Sequence, residues 1–379
     1  MLNKKIILII IIALIVGLGG LLAYNFFFTE KEATLVKKSE KETNQNQEEN
    51  PITTNINPRL TAISENPALD FSISPSGKSI RYYLKENGNV LESDFNGTNL
   101  KTISSATLKD LIKVLWSPQG NQVISIYKKN IGSEKYFYSY NTGKVAKLHD
   151  DIQYIAWSPD GDKIAYNFLD ETSSINNISI SKPDGSDFKN VLDTRILDLI
   201  LDWPSANELS LSTKPSGLAQ GILYTFNLET KEFSKILSDA YGLKVLWSPA
   251  GDKILYSSTN SDGRNINSIV INKSGNLIRQ LKIPALADKC VWSKDNRTLF
   301  CAAPRIIPSS AVMPDDWYKG LLSTSDDLWK INLDTGEETI LNMGEPVRLI
   351  DAHNLLLPPK EDYLFFANKK DGLLYSLRL

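Results

Sequence analysis

A ten-residue motif recurs along the chain, and its spacing constrains the fold more than any other feature of the sequence. The clearest copies are 157–166 and 247–256, which share Trp-Ser-Pro, a glycine in the fifth position and then Asp-Lys-Ile. Five weaker copies begin at Ile73, Trp116, Trp203, Trp292 and Leu357. Successive starting positions are separated by 43, 41, 46, 44, 45 and 65 residues. A period in the forties, with strand-like segments, is typical of radially repeated sheets rather than of helical repeats.

Each copy has the chemistry of a β-hairpin. In 245–247 and 254–256, large apolar residues two positions apart would line one face of each strand. Between the strands, proline fixes φ and glycine supplies a tight turn. A second turn recurs about one strand later, at Asn96-Gly97, Thr142-Gly143, Asp184-Gly185, Glu229-Thr230, Ser274-Gly275 and Thr335-Gly336. The sequence therefore predicts an all-β, seven-bladed β-propeller of four-stranded antiparallel blades. Six blades, or unrelated hairpins in a sandwich, are the alternatives.

The motif resembles the repeat of the TolB-like, WD40-like (PD40) β-propeller family, essentially Trp-Ser-Pro-Asp-Gly-x-x-Ile-Ala-Tyr. Residues 157–166 and 247–256 match it closely, and the resemblance covers about residues 59–379. It implies a propeller and says little about function, because the same repeat builds structural, transport and peptidase-associated propellers. The resemblance implies that TolB itself is a soluble periplasmic protein, in which an α/β domain precedes six blades. This chain has seven copies of the motif, so the resemblance does not imply a TolB orthologue.

The amino terminus has the pattern of a membrane anchor. Residues 1–5 contain two lysines, and Ile6–Phe28 then runs for 23 residues without a charge. As a helix this run would be about 35 Å long, enough for a hydrocarbon core of about 30 Å. It predicts an uncleaved transmembrane signal anchor with residues 1–5 as a cytoplasmic tail and the rest outside. A cleaved signal peptide and a buried core helix are the alternatives.

Residues 29–58 form a separate compositional segment. Only five of these thirty residues are apolar, and Gln, Asn, Lys and Glu dominate. Such a segment cannot bury enough apolar surface to offset the entropy of ordering it, so it predicts a disordered tether. A short helix in 30–41 is the alternative. The propeller domain is then 59–379, on the extracytoplasmic side of the cell membrane.

The closure of the ring is predicted from the ends of the domain. The seventh repeat ends in a third strand with nothing after it, whereas 59–63 is a strand without a blade of its own. An open ring would expose two unpaired strand edges. We therefore expect 59–63 to pair antiparallel with 373–379. In the six-bladed alternative, residues 340–379 would pack outside the ring.

Composition excludes several functions. The chain has 42 Lys and Arg against 44 Asp and Glu, without the basic excess of a nucleic-acid binder. Two histidines and two cysteines leave little material for metal sites or His-based catalysis, and no nucleophile motif is found. The sequence therefore predicts no catalytic residues, metal or cofactor. The recurrent tryptophans are interpreted as blade-packing residues.

Cys290 and Cys301 lie in the hairpin of the Trp292 repeat. Pairing Trp292 with Leu299 across that turn places the two cysteines opposite each other. Cross-strand neighbours about 4.5–5.5 Å apart can be bridged with strain. The pattern leaves open a disulfide or two reduced thiols in the core.

An insertion in the sixth repeat is the candidate partner-binding loop. The interval from the motif to the second turn takes 44 residues there, against 24 to 28 in the other copies measured. It contains Asp315, Asp316, Trp317, Tyr318 and Lys319. Aromatic side chains on a long propeller loop are good interface anchors. The alternative is a loop that packs over its own blade.

These features favour a non-catalytic binding or scaffold module that docks a protein or a cell-envelope polymer and contacts the membrane through Ile6–Phe28. The competing class is an envelope glycan lyase or hydrolase with acidic residues at the channel mouth, where two carboxylates would have to converge. A structural spacer in a larger assembly is the third possibility.

Overall fold

The computed structural model describes residues 59–170, 172–173, 175–344 and 348–379. The predicted tail, anchor and tether all lie outside the described residues. Within the described residues the chain is almost entirely β, with strands β1–β27 numbered in chain order. The helical elements described are a 3-10 turn at Ala287–Lys289 and the four-residue helix α1 at Asp315–Tyr318. No helix of this part of the chain is long and apolar enough to cross a membrane.

The strands form six antiparallel sheets, of which five have four strands and one has seven. Sheet 1 contains β2 (Ala68–Ile73), β3 (Ser79–Leu84), β4 (Val90–Asp94) and β5 (Lys101–Ser104). Sheet 2 contains β6 (Leu111–Trp116), β7 (Gln122–Lys128), β8 (Ser133–Ser139) and β9 (Val145–Lys147). Sheet 3 contains β10 (Ile152–Trp157), β11 (Ile164–Asp170), β12 (Ile175–Ser181) and β13 (Lys189–Asp193).

The remaining sheets follow in chain order. Sheet 4 contains β14 (Leu199–Ser205), β15 (Glu208–Thr213), β16 (Gln220–Asn227), β17 (Phe233–Trp247), β18 (Lys253–Thr259), β19 (Asn267–Asn272) and β20 (Leu277–Gln280). Sheet 5 contains β21 (Cys290–Trp292), β22 (Thr298–Pro304), β23 (Asp326–Asn332) and β24 (Glu338–Ile340). Sheet 6 contains β25 (Ala352–Leu356), β26 (Tyr363–Asn368), β27 (Leu374–Arg378) and β1 (Leu60–Ala62).

The sequence motif forms the first hairpin of sheets 1, 2, 3, 5 and 6 and two hairpins of sheet 4, β14–β15 and β17–β18, as the repeat predicts. Trp157 pairs with Ile164, and Trp247 pairs with Ile254 at the same place in its own hairpin. The turn glycine also lets neighbouring sheets approach closely. Gly120 has φ +67°, and a Cβ atom there would clash with the carbonyl oxygen of Ile73 in sheet 1. Glycine therefore serves both the turn and the contact between sheets.

Two of the repeat tryptophans, Trp157 and Trp292, join neighbouring sheets, in keeping with a packing role. The indole nitrogen of Trp157 donates to the Leu115 carbonyl at 3.2 Å, and that of Trp292 donates to the Leu246 carbonyl at 3.2 Å. In each case donor and acceptor lie on the first motif strands of consecutive repeats. Both rings also pack in the apolar layers between sheets, so Trp157 and Trp292 satisfy their polar and their apolar groups together.

Strand β17 explains why sheet 4 has seven strands. Its first part pairs with β16, from Phe233 opposite Phe226 to Tyr241 opposite Gln220. Its second part pairs with β18, from Tyr241 opposite Thr259 onward. One continuous extended segment of 15 residues therefore ends one four-stranded group and begins the next.

The two ends of the domain meet in sheet 6. Leu60 pairs with Leu377 and Ala62 pairs with Tyr375, antiparallel. The Arg378 amide donates to the Arg59 carbonyl at 2.9 Å, which extends the ladder by one residue. The predicted pairing of 59–63 with 373–379 is thus confirmed, and this edge of the sheet is covered from within the chain.

Candidate functional site

The insertion packs onto the domain, and Trp317 is not an exposed docking anchor. Its side chain is only 4% exposed and lies among Ile266, Leu286 and Met313. The indole nitrogen donates to Asp351 Oδ1 at 2.9 Å. Lys369 Nζ lies 4.0 Å from the ring centroid. The expectation that Trp317 presents an interface is therefore wrong, because residues far along the chain supply a complete pocket for it.

The other candidate residues of the insertion differ in their contacts. Asp315 accepts hydrogen bonds from Ser216 Oγ and from the Gly217 amide, at 3.0 and 2.6 Å, so it fixes the loop to sheet 4. Asp316 accepts from the Val312 amide at 2.8 Å inside the loop. Tyr318 and Lys319 are exposed at the end of α1. The Tyr318 hydroxyl donates to Asp288. The insertion thus packs onto the domain, but through contacts with sheets 4 and 6 rather than over its own blade in sheet 5.

Cys290 and Cys301 face each other in register on β21 and β22, as the hairpin arithmetic predicts. The structure joins them by a disulfide, with their Cα atoms 4.0 Å apart. Both side chains lie in the apolar layer between sheets 4 and 5. Of the two states that the sequence left open, the structure contains the bonded one.

A cluster of polar side chains is buried beside Trp317. We call Lys289, Thr324, Asp326 and Asp351 the Lys289 cluster. Lys289 Nζ donates to Thr324 Oγ1, Asp326 Oδ2 and Asp351 Oδ1 at 2.6, 2.7 and 2.8 Å. The ionic side chains are 0% exposed, so no dissolved substrate can reach them.

A cleft of about 780 Å³ lies between sheets 1 and 2. We call it the tyrosine cleft, because five tyrosines line it: Tyr83, Tyr127, Tyr136, Tyr138 and Tyr140. Successive side chains of a strand point to opposite faces, so Tyr136 and Tyr138 on β8 face the cleft together. Phe137 between them is 5% exposed and packs into the core between sheets 2 and 3. The alternation of tyrosines in 136–140 is visible in the sequence and indicates that they share one face of the strand.

The inner end of the cleft is aromatic and uncharged. The Tyr83 and Tyr140 hydroxyls are hydrogen-bonded to each other at 2.7 Å. Trp116 stacks on Tyr140 with ring centroids 5.7 Å apart and planes 8° from parallel. Burial raises the pKa of Tyr83 to about 12 and also raises the pKa of Tyr140. Both phenols therefore remain neutral hydrogen-bonding groups at physiological pH.

Buried polar atoms without a hydrogen-bond partner among the described residues occur mainly in the two sheets beside this cleft. Among the described residues, five buried side-chain atoms have no hydrogen-bond partner. Four of them belong to sheets 1 and 2 or their connecting turns: Arg81 Nη1, Asn89 Oδ1, Trp116 Nε1 and Gln122 Oε1. Arg81 lies 4.6 Å from the Tyr140 ring centroid. None of these four side chains is among the residues that line the cleft.

The rim of the cleft has both charged and apolar side chains. Lys109, Asp110, Lys128 and Glu134 lie at its polar end, and Glu134 pairs with Lys129 at 2.7 Å. At the other side Ile103 is 39% exposed and Val145 is 62% exposed. Charges of both signs at the rim and none at the inner end leave the cleft close to neutral. No three His, Cys, Asp or Glu side chains of the described residues are grouped so that they could hold a metal ion.

No family model matches the chain, and no curated protein matches it. Solved structures do. An oligogalacturonate lyase from Vibrio parahaemolyticus matches with a TM-score of 0.59 and 10% identity, over 84% of this chain and 93% of that one. The Myceliophteria thermophila Cps50 (Swd1) β-propeller domain matches with a TM-score of 0.55 and 11% identity, over 84% and 98%. A tricorn protease matches with a TM-score of 0.54 and 12% identity, over 84% of this chain but only 34% of its own length.

These similarities establish the fold class alone. The chain has a β-propeller fold, built from repeated antiparallel sheets. Solved TolB structures from Agrobacterium tumefaciens and Acinetobacter baumannii also match, with TM-scores of 0.43 and 0.44. Since folds host unrelated functions, what the chain does has to be argued from its own side chains.

Proposed function

We propose that the chain is a membrane-tethered, extracytoplasmic β-propeller that binds a cell-envelope polymer without chemically changing it. Ile6–Phe28 would be an uncleaved anchor with residues 1–5 in the cytoplasm, and 29–58 would hold the domain away from the bilayer. The charge-free run of 23 residues and the polar composition that follows it support this topology.

The ring in this proposal has seven blades. Sheets 1, 2, 3, 5 and 6 are one blade each, and sheet 4 is two blades that share β17. The two-part pairing of β17 and the seven motif copies support this count. A seven-bladed ring behind an anchor also supports the inference that the chain is not a TolB orthologue.

The tyrosine cleft is the binding site that we propose, and its ligand is a neutral, hydroxyl-rich polymer such as an uncharged glycan. Tyrosine rings can pack on the apolar faces of sugar rings, while sugar hydroxyls can hydrogen-bond to the neutral tyrosine hydroxyls that line the cleft. An alkyl chain would leave those groups unmet. An acidic polymer would bring charge to an end of the cleft that has no free cation, because Arg81 already pairs with Glu92 at 2.7 Å. The observation that carries the proposal is this combination of aromatic walls and neutral tyrosine hydroxyls.

Calorimetric titration tests the site. The full chain, in a detergent without a sugar headgroup, would be titrated with neutral and acidic oligosaccharides of equal length. We expect the neutral series to bind and Tyr138→Ala to weaken binding about tenfold or more. Phe188→Ala is the matched control, since Phe188 is 73% exposed in sheet 3 and far along the chain from the cleft. Absence of binding by every neutral oligomer, or an equal loss in the control, would refute the site.

An envelope glycan lyase or hydrolase is the second candidate. Two half-buried carboxyls favour it, since desolvation raises the pKa of Asp70 on β2 and of Asp202 on β14 to about 6 each. Carboxyl groups tuned in this way can act as acids or bases near neutral pH. Incubation with the bound polymer separates the two functions. New reducing ends or unsaturated products that disappear in Asp70→Asn or Asp202→Asn would replace the binding proposal by the enzymatic one.

A further inference from the structure

The Lys289 cluster contains one more hydrogen-bonding contact than its protons allow if both carboxyls are charged. Thr324 Oγ1 lies 2.8 Å from Asp326 Oδ1 and 2.9 Å from Asp351 Oδ1. A hydroxyl has one proton and can donate to only one of these oxygens. All three protons of Lys289 are already directed to Thr324, Asp326 and Asp351. A second proton, placed on one of the two acids, would satisfy both of these contacts.

The surroundings assign that proton to Asp326. Burial is the largest effect on Asp326 and raises its pKa. Burial also acts to raise the pKa of Asp351, but the charge of Lys289 and hydrogen bonds from Lys289 and Trp317 lower it to about 2. With Asp326 neutral and Asp351 charged, the cluster has no net charge. That state is the one that a fully buried site favours.

We propose that Lys289 and Asp326 are joined by an intramolecular amide bond. Lys289 Nζ lies 2.7 Å from Asp326 Oδ2, and the site is closed to water, which would otherwise oppose the condensation. Held reactants of this kind reach effective concentrations of about 10⁵–10⁸ M. The inference concerns covalent structure and is independent of the ligand proposed for the tyrosine cleft.

The reaction balances with the groups that are present. Lys289 gives a proton to Asp351 Oδ1, 2.8 Å away, which cancels both charges. The neutral amine attacks Asp326 Cγ, and the negative charge develops on Oδ2, which accepts a hydrogen bond from the Ala352 amide at 2.8 Å. Thr324 relays the proton from Asp351 to Asp326 Oδ1, which leaves as water. The nitrogen then returns its second proton to Asp351, so one C–N bond has formed, one C–O bond has broken, and Asp351 ends protonated.

Mass spectrometry of the full chain tests the proposal directly. After denaturation and disulfide reduction, the intact mass should be lower than the sequence mass by one water molecule. Trypsin should release residues 283–294 joined to 320–330, since the blocked Lys289 is no longer a cleavage site. An intact mass equal to that of the sequence, or a water loss located in other peptides, would overturn the proposal without any variant.

Variants then assign the roles. Lys289→Arg keeps a cation but removes the nucleophile, and Asp351→Asn removes the base, so both should show the full sequence mass. Lys369→Arg is the matched control, because Lys369 also lies against Trp317 but makes no ion pair with Asp326. It should keep the water loss. A cross-link that survives Lys289→Arg would refute the assignment.

Discussion

Trp317 donates its indole proton to Asp351, which lies immediately before β25 in a different sheet from the insertion. The hydrogen bond connects the longest loop of the domain to the start of sheet 6. Trp317 is therefore a structural residue, and its contacts make a clear prediction about stability.

Trp317→Ala should lower the free energy of unfolding by about 3–5 kcal/mol, because it opens a large cavity and removes a hydrogen bond from a buried carboxylate. Tyr318→Ala, one position further along, should cost much less, since that side chain is 42% exposed. Urea titration of both variants measures the difference. Equal stability of Trp317→Ala and the natural chain would return Trp317 to the list of candidate interface residues.

Removal of β1 should destabilise the whole ring. A chain that begins at Asn66 loses the partner of β27, so its main-chain groups and apolar side chains become exposed. We expect one cooperative unfolding transition at a lower midpoint, with a loss of about 3 kcal/mol or more. A chain that begins at Asn57 is the control. If the two shortened chains melt together, the six-bladed arrangement with 340–379 outside the ring becomes the better description.

Loss of the disulfide should cost about 2–3 kcal/mol, as expected for a loop that spans 11 residues. The double variant Cys290→Ala, Cys301→Ala should therefore melt earlier than the natural chain under oxidising conditions. Under reducing conditions the difference in melting temperature between the variant and the natural chain should become smaller. A difference that does not change with reductant would instead indicate that lost side-chain packing lowers the stability of the variant.

Asp70 should make stability depend on pH. Its pKa is about 6 in the folded chain against 3.8 as the ordinary value, so the folded state holds this proton more tightly than the unfolded state does. The resulting stabilisation is present below about pH 4 and is lost as pH rises through about 6, by up to about 3 kcal/mol. Asp70→Asn removes this loss and can still accept the hydrogen bond from the Val114 amide. The stability of the variant relative to the natural chain should therefore increase from pH 4 to pH 7, and a flat difference would refute the assignment.

The sequence predicts those features that repeat or that depend on local register. Trp157 and Trp247 identify the hairpins because their motif recurs, and Cys290 is placed opposite Cys301 by counting across one turn. The pairing of Leu60 with Leu377 is also predictable, since a blade lacking one strand and a strand lacking a blade require each other. In each case the prediction follows from the way in which antiparallel strands pair.

The parts that could not be predicted depend on contacts between distant segments. An aromatic residue outside the repeat pattern can be exposed or buried, and residues distant in the chain, among them Ile266 and Asp351, bury Trp317. The alternation of Tyr136, Tyr138 and Tyr140 indicates a common face of a strand. It does not indicate that sheets 1 and 2 leave a gap there, because the gap is set by side chains of both sheets.

Strand β1 is both the closing strand of the ring and the segment through which a tether would reach the membrane. A pull on residues 29–58 would be transmitted through Arg59 along β1, parallel to the strand. The hydrogen bonds of Leu60–Ala62 to β27 would then be loaded together in shear rather than opened one after another. Under the proposed topology, the pairing of β1 with β27 that closes the propeller also carries mechanical load between the domain and the bilayer.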